Sequence, residues 1–127
     1  MIRRLRIVAL AAATVAMASA ALAETDGERI AKILTPAIKS CWTMPLPPEG
    51  QKALPFSVSF KLGLDGSVSE RPVSQKEPSS DYERLMIASG VRAILKCGPY
   101  SALAASGLPY EAWRDIDINF DPSQTTF

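Results

Sequence analysis

The chain of 127 residues contains no histidine. That absence removes the side chain most often used as a general base or metal ligand near neutral pH. Cysteine is almost as scarce. Cys41 and Cys97 are the only two, too far apart for a CxxC redox pair and too few for a zinc knuckle. Aromatic residues are 7% of the total, and no basic run is long enough to bind a nucleic-acid backbone or lipid headgroups. No serine has a recognisable partner base, and Gly63-Leu64-Asp65-Gly66 reads as a hairpin, not a phosphate cradle. The residues therefore point away from catalysis, metal, cofactor and nucleic acid.

Long apolar runs are missing too, except at the start. Arg3, Arg4 and Arg6 precede an uncharged stretch, residues 7–22, and Ala21-Leu22-Ala23 supplies small residues where a signal peptidase reads. A basic start, a short apolar run and an A-x-A end describe a secretory signal peptide. The run falls short of the roughly 20 residues of a spanning helix. Residues 1–23 are thus expected to be removed, leaving residues 24–127 as one periplasmic domain with no membrane contact. The signal takes three of the 14 basic residues and none of the 13 acidic ones, so the mature balance is 11 against 13, or −2.

Both cysteines lie in the exported part, and an even pair in an oxidising compartment reads as a disulfide, Cys41 to Cys97. The competing reading is a thiol-dependent periplasmic redox protein using Cys97, whose Cys-Gly-Pro run is that of a degenerate thioredoxin site. Thioredoxin-type nucleophiles sit at helix N-termini, where the positive end of the dipole stabilises thiolate. Cys97 is expected in the last turn of a helix, where the dipole opposes it. A structural bridge is the stronger reading.

The mature chain alternates recognisable elements. Thr25-x-x-Glu28 has capping-box spacing, and Ile30, Ile33, Leu34, Ala37, Ile38 and Cys41 follow as one helical stripe. Pro36 predicts a kink there, or a restart with Thr35 as N-cap. Phe56, Val58, Phe60, Leu62 and Leu64 alternate as in a half-buried strand, and Asp65-Gly66 predicts a two-residue hairpin turn with both residues at positive φ. A poorer return strand over 67–75 carries Pro72, the mark of a bulge or an edge. Ser80-x-x-Glu83 opens a second helix, apolar around most of its circumference and so expected to be covered on more than one side. Gly98 is expected as its left-handed C′ residue, with Pro99 preventing continuation. After a loop with at most a short helical turn, residues 113–120 alternate again, and residues 123–127 read as a mobile tail.

This order, α-β-β-α-β, gives an α+β fold of two layers: a three-stranded antiparallel sheet with the helices packed on one face. The helix ending Cys41-Trp42, the turn Leu64-Asp65-Gly66-Ser67-Val68, the helix ending Ile94-Leu95-Lys96-Cys97-Gly98-Pro99-Tyr100 and the close Tyr110-Glu111-Ala112-Trp113…Phe120-Asp121-Pro122 resemble the C-terminal domain of TolA, within the TonB/TolA C-terminal superfamily. The resemblance implies a noncatalytic interaction module of the cell envelope that binds protein partners through an exposed sheet edge. It departs from that family in lacking a stalk between the N-terminal segment and the domain, so energy transduction is not implied. The edge falls on the 113–120 strand, with Asp115, Asp117, Ile118 and Asn119 as candidate partner-binding residues. Asp115 and Asp117 on one strand face, with Asp121 beyond its end, read as a solvated face, not a metal site. Trp42 and Trp113 are expected to pack around the disulfide and helix ends. Tyr100 and Tyr110 are open between core rim and binding hot spot.

Overall fold

A computed structural model describes residues 23–124 of the chain. Residues 1–22 of the expected signal peptide and residues 125–127 of the expected tail lie outside these residues. Helix α1 spans Asp26–Cys41, strand β1 Phe56–Lys61, strand β2 Val73–Ser74 and helix α2 Asp81–Cys97. Two single-turn helices, α3 (Ser101–Ala104) and α4 (Tyr110–Trp113), precede strand β3 (Asp115–Phe120), and a 3-10 turn covers Pro122–Gln124. The sheet is antiparallel, ordered β2-β1-β3, so β1 is central.

The capping box of α1 is present in full, with the Thr25 hydroxyl accepting from the Glu28 N–H and the Glu28 carboxylate accepting from the Thr25 N–H. The expected restart at Thr35 does not occur. The helix runs through Pro36, whose ring stands on the exposed side, while Ile30, Leu34 and Ile38 bury the opposite stripe. At α2 the Ser80 hydroxyl accepts from Glu83 N–H, but the Glu83 carboxylate reaches Ser79 N–H instead of Ser80. The box is displaced by one residue: it satisfies one orphan donor of the helix, the Glu83 N–H, and the N–H of Ser79 just ahead of the cap.

The structure corrects two expectations about turns. The Gly66 N–H bonds the Gly63 carbonyl, and the Gly63 N–H bonds the Ser67 carbonyl. Leu64 and Asp65 are therefore the turn's central residues, and Gly66 follows at φ 85°. This is a three-residue hairpin loop, not a two-residue one. The Asp65 carboxylate accepts from the Ser67 N–H and hydroxyl, which holds its pKa below the usual value. Gly98 is not left-handed. It is extended (φ −74°, ψ 163°) and joined to Pro99 by a cis peptide bond. Pro99 has no N–H, so the C″ hydrogen bond that completes a Schellman end around a left-handed glycine is unavailable here.

The return strand is interrupted. Leu62 faces Val68, yet Ser59 faces Val73, so two residues of β1 stand opposite four of the return segment. The excess is a bulge of two residues around Glu70, Arg71 and Pro72, with Pro72 buried and its neighbours exposed. A two-residue slip preserves the side-chain parity of the strand, since the period is two.

The core lies between the helices and one sheet face. Val58, Phe60, Leu62, Ile116 and Phe120 of the sheet side form one cluster with Leu34 and Ile38 of α1 and Met86 and Ile94 of α2. Trp42 closes one end, edge-on to Phe56 and Phe120, which stack on each other. Gly90 of α2 is forced by these rings, because a Cβ there would lie 2.7 Å from Phe56. Trp113 does not open the last strand, which begins at Asp115. It belongs to α4 and packs edge-on against Tyr110.

Candidate functional site

The free edge of β3 is the feature on which the candidate residues converge. Its register against β1 pairs Phe56 with Phe120 through Lys61 with Asp115. Leu62 and Arg114 continue that register, and the Leu62 N–H donates to the Arg114 carbonyl at 2.9 Å. Hydrogen-bonded and non-bonded pairs alternate in an antiparallel ladder. Ile116, Ile118 and Phe120 therefore turn their backbone groups to β1. Asp115, Asp117 and Asn119 turn theirs away, to the side where β3 has no neighbouring strand among the described residues.

Side chains follow the same parity. Those of Asp115, Asp117 and Asn119 lie on the exposed sheet face, away from the helices. There the Ser59 hydroxyl donates to Asp117 at 2.6 Å, Ser57 to Asn119 at 3.2 Å, and the Gln75 amide to Ser59 at 3.1 Å. Arg114 pairs with Asp115 at 3.1 Å across an exposed surface. These bonds tie the outer face of the edge strand into the sheet. Asp121 stands past the strand end, and no group of three acidic or thiol ligands occurs among the described residues.

Ile118 differs from the other candidates. Its backbone is used by β1, but its side chain lines a groove between β3 and α1. The groove, of about 370 Å³, is walled by Thr35, Ile38, Lys39 and Trp42 on the helix and by residues 118–121 on the strand. Sequence reasoning does not find the helical wall, because it assigns Ile38 and Trp42 to the core. The available signal is the spacing i, i+3, i+4 and i+7 over residues 35–42, which puts all four side chains on one helix face.

The tyrosines resolve as structural. Tyr100 is buried and donates its hydroxyl to the Ile94 carbonyl at 2.5 Å, and burial pushes its pKa up to about 12. Its N–H donates to the Gly66 carbonyl at 2.7 Å, joining the hairpin to the end of α2. Tyr110 donates to the Leu62 carbonyl at 2.6 Å.

Cys41 and Cys97 end α1 and α2 and meet at disulfide distance, with Cα atoms 6.1 Å apart. Cys97 occupies the last turn of its helix, as expected, so the dipole gives a thiolate there no support. No helix among the described residues is long and apolar enough to cross a membrane.

No family model matches the sequence, and no curated protein matches it either. The fold does match a solved one. The solution NMR structure of TolAIII bound to a peptide derived from the N-terminus of TolB superposes with a TM-score of 0.55. The match covers 91% of this chain and 82% of that one at 16% sequence identity, and shows a shared fold.

Proposed function

We propose that the chain is a noncatalytic protein-interaction domain of the periplasm that takes an extended segment of an envelope protein as an added strand on β3. The single observation that carries this reading is the row of backbone groups at Asp115, Asp117 and Asn119 that no strand pairs among the described residues, bordered by the α1–β3 groove. Strand addition draws affinity from main-chain hydrogen bonds and specificity from pockets for alternate side chains. The open edge supplies the first, and the groove beside Ile118 and Trp42 supplies the second. That the structurally similar TolAIII was solved with a bound peptide supports a protein ligand.

The ladder parity selects the test. A proline at Asp117 removes an outward N–H and leaves the β1 pairing in place, the position where an edge strand tolerates proline. A proline at Ile118 removes an inward N–H and damages the sheet itself. Partner recovery from an envelope extract should fall sharply for Asp117→Pro while its thermal unfolding stays cooperative. Undiminished recovery by the folded Asp117→Pro protein sinks strand addition.

A further inference from the structure

Helix α2 has a second face that the core does not use. Leu85 and Leu95 are 58% and 43% exposed, although the apolar circumference of the helix predicts cover on more than one side. Ala88, Val91 and Leu95 form one wall of a concavity of about 510 Å³ between α2 and the bulged return segment. Arg71, Arg92 and Lys96 complete its lining, and no acidic residue contributes. Arg71 reaches this position because the two-residue slip between Val68 and Val73 loops it out of the ladder.

The charge pattern is the informative part. The whole chain is nearly balanced, with 14 basic and 13 acidic residues, yet this concavity holds cations and no anion. Neither arginine nor Lys96 makes a hydrogen bond or ion pair through its side chain within the described residues. Cations left unpaired around an apolar floor favour a ligand that brings both acidic groups and aliphatic surface. Leu85, Ala88, Arg92 and Leu95 follow one another at helical spacing, spanning about 15 Å of axis. A row of that length suits a helix laid against a helix, reading i, i+3, i+4 and i+7 anchors.

We infer that the α2 face bounded by Arg71, Arg92 and Lys96 is a second protein-docking site, whose partner presents an acidic amphipathic helix. The site lies on the β2 side of the sheet, away from the β3 edge, so both can be occupied together. Its apolar contacts supply affinity, and its cations supply steering and a dependence on salt.

The test uses the mature chain and a synthetic helix-forming peptide with Leu at i, i+3, i+4 and i+7 and Glu at its exposed positions. Amide shifts in the NMR spectrum should concentrate at Arg71 and across 85–96, and weaken as salt is raised. The exposed triple reversal R71E/R92E/K96E should cut affinity at least tenfold (roughly 1.4 kcal/mol) without changing the unfolding midpoint. Leu95→Asp should do the same from the apolar side. Equal binding by the triple variant overturns the proposal, as do shifts confined to β3. Binding of anionic phospholipid vesicles through these residues, with none of the peptide, also overturns it.

Discussion

The indole N–H of Trp42 donates to the Ser89 hydroxyl at 2.9 Å, joining the residue after α1 to the middle of α2 inside the core. Ser89 donates its own proton to the Met86 carbonyl at 2.5 Å, so both partners are satisfied. Ser89→Ala removes the acceptor and leaves a buried indole N–H unpaired, at a cost of about 1–3 kcal/mol. Urea denaturation monitored by tryptophan fluorescence measures it. An unchanged midpoint would show that the bond contributes nothing to stability.

Reduction should weaken the domain markedly. Closing a chain segment with a sequence separation of 56 contributes about 4 kcal/mol in the chain-entropy account, a large part of a small domain's stability. The unfolding temperature of protein prepared under oxidising conditions should drop on adding a strong reductant, and the Cys41→Ser/Cys97→Ser variant should match the reduced protein. Two freely alkylated thiols in the folded, oxidised preparation would contradict the bridge and revive the redox reading.

Gly66 should not tolerate a side chain. Its φ of 85° disfavours any L residue, and a Cβ would run into the Tyr100 carbonyl. Gly66→Ala should destabilise by upwards of about 2 kcal/mol. Gly50, also at positive φ but with open space around it, provides the control. Gly50→Ala should cost visibly less in the same denaturation assay.

Alkaline pH should destabilise the domain through its buried phenols. Burial raises Tyr100 to about 12 from an ordinary 10.0, and Tyr82 is raised as well. A folded pKa above the unfolded one means that stability is intact below about 10 and declines as the pH climbs toward 12, because only the unfolded chain releases the proton. Denaturation midpoints across that window should fall, and Tyr100→Phe should flatten the slope in part, Tyr82 retaining its share. A slope unchanged by Tyr100→Phe would remove Tyr100 as its source.

The elements legible in the sequence are those whose burial repeats with the backbone. Phe56 through Leu62 and Ile116 through Phe120 announce strands because every second side chain enters the core. Thr25 and Ser80 announce helices because each satisfies donors that nothing else reaches. Proline only hints at the bulge spanning Glu70 to Pro72, since its length depends on what β1 offers across the gap. Trp113 misleads because an aromatic at the head of an alternating run fits a strand as readily as a helical turn. Gly98 misleads because the helix end it suggests needs an N–H from the following residue, and Pro99 has none. The candidate edge is legible by residue but not by backbone direction, which requires the register. Ile118 belongs with the groove, and Asp115, Asp117 and Asn119 with the open hydrogen bonds.

The parity of β3 makes it a strand with two exchange rates. Amides of Ile116, Ile118 and Phe120, held against β1, should trade their protons for deuterium slowly, near the rate set by global opening. Amides of Asp117 and Asn119 face solvent and should exchange almost at once. A partner laid along the edge would slow the second set and leave the first as it was, so a single labelling time course distinguishes an occupied edge from a stiffened fold.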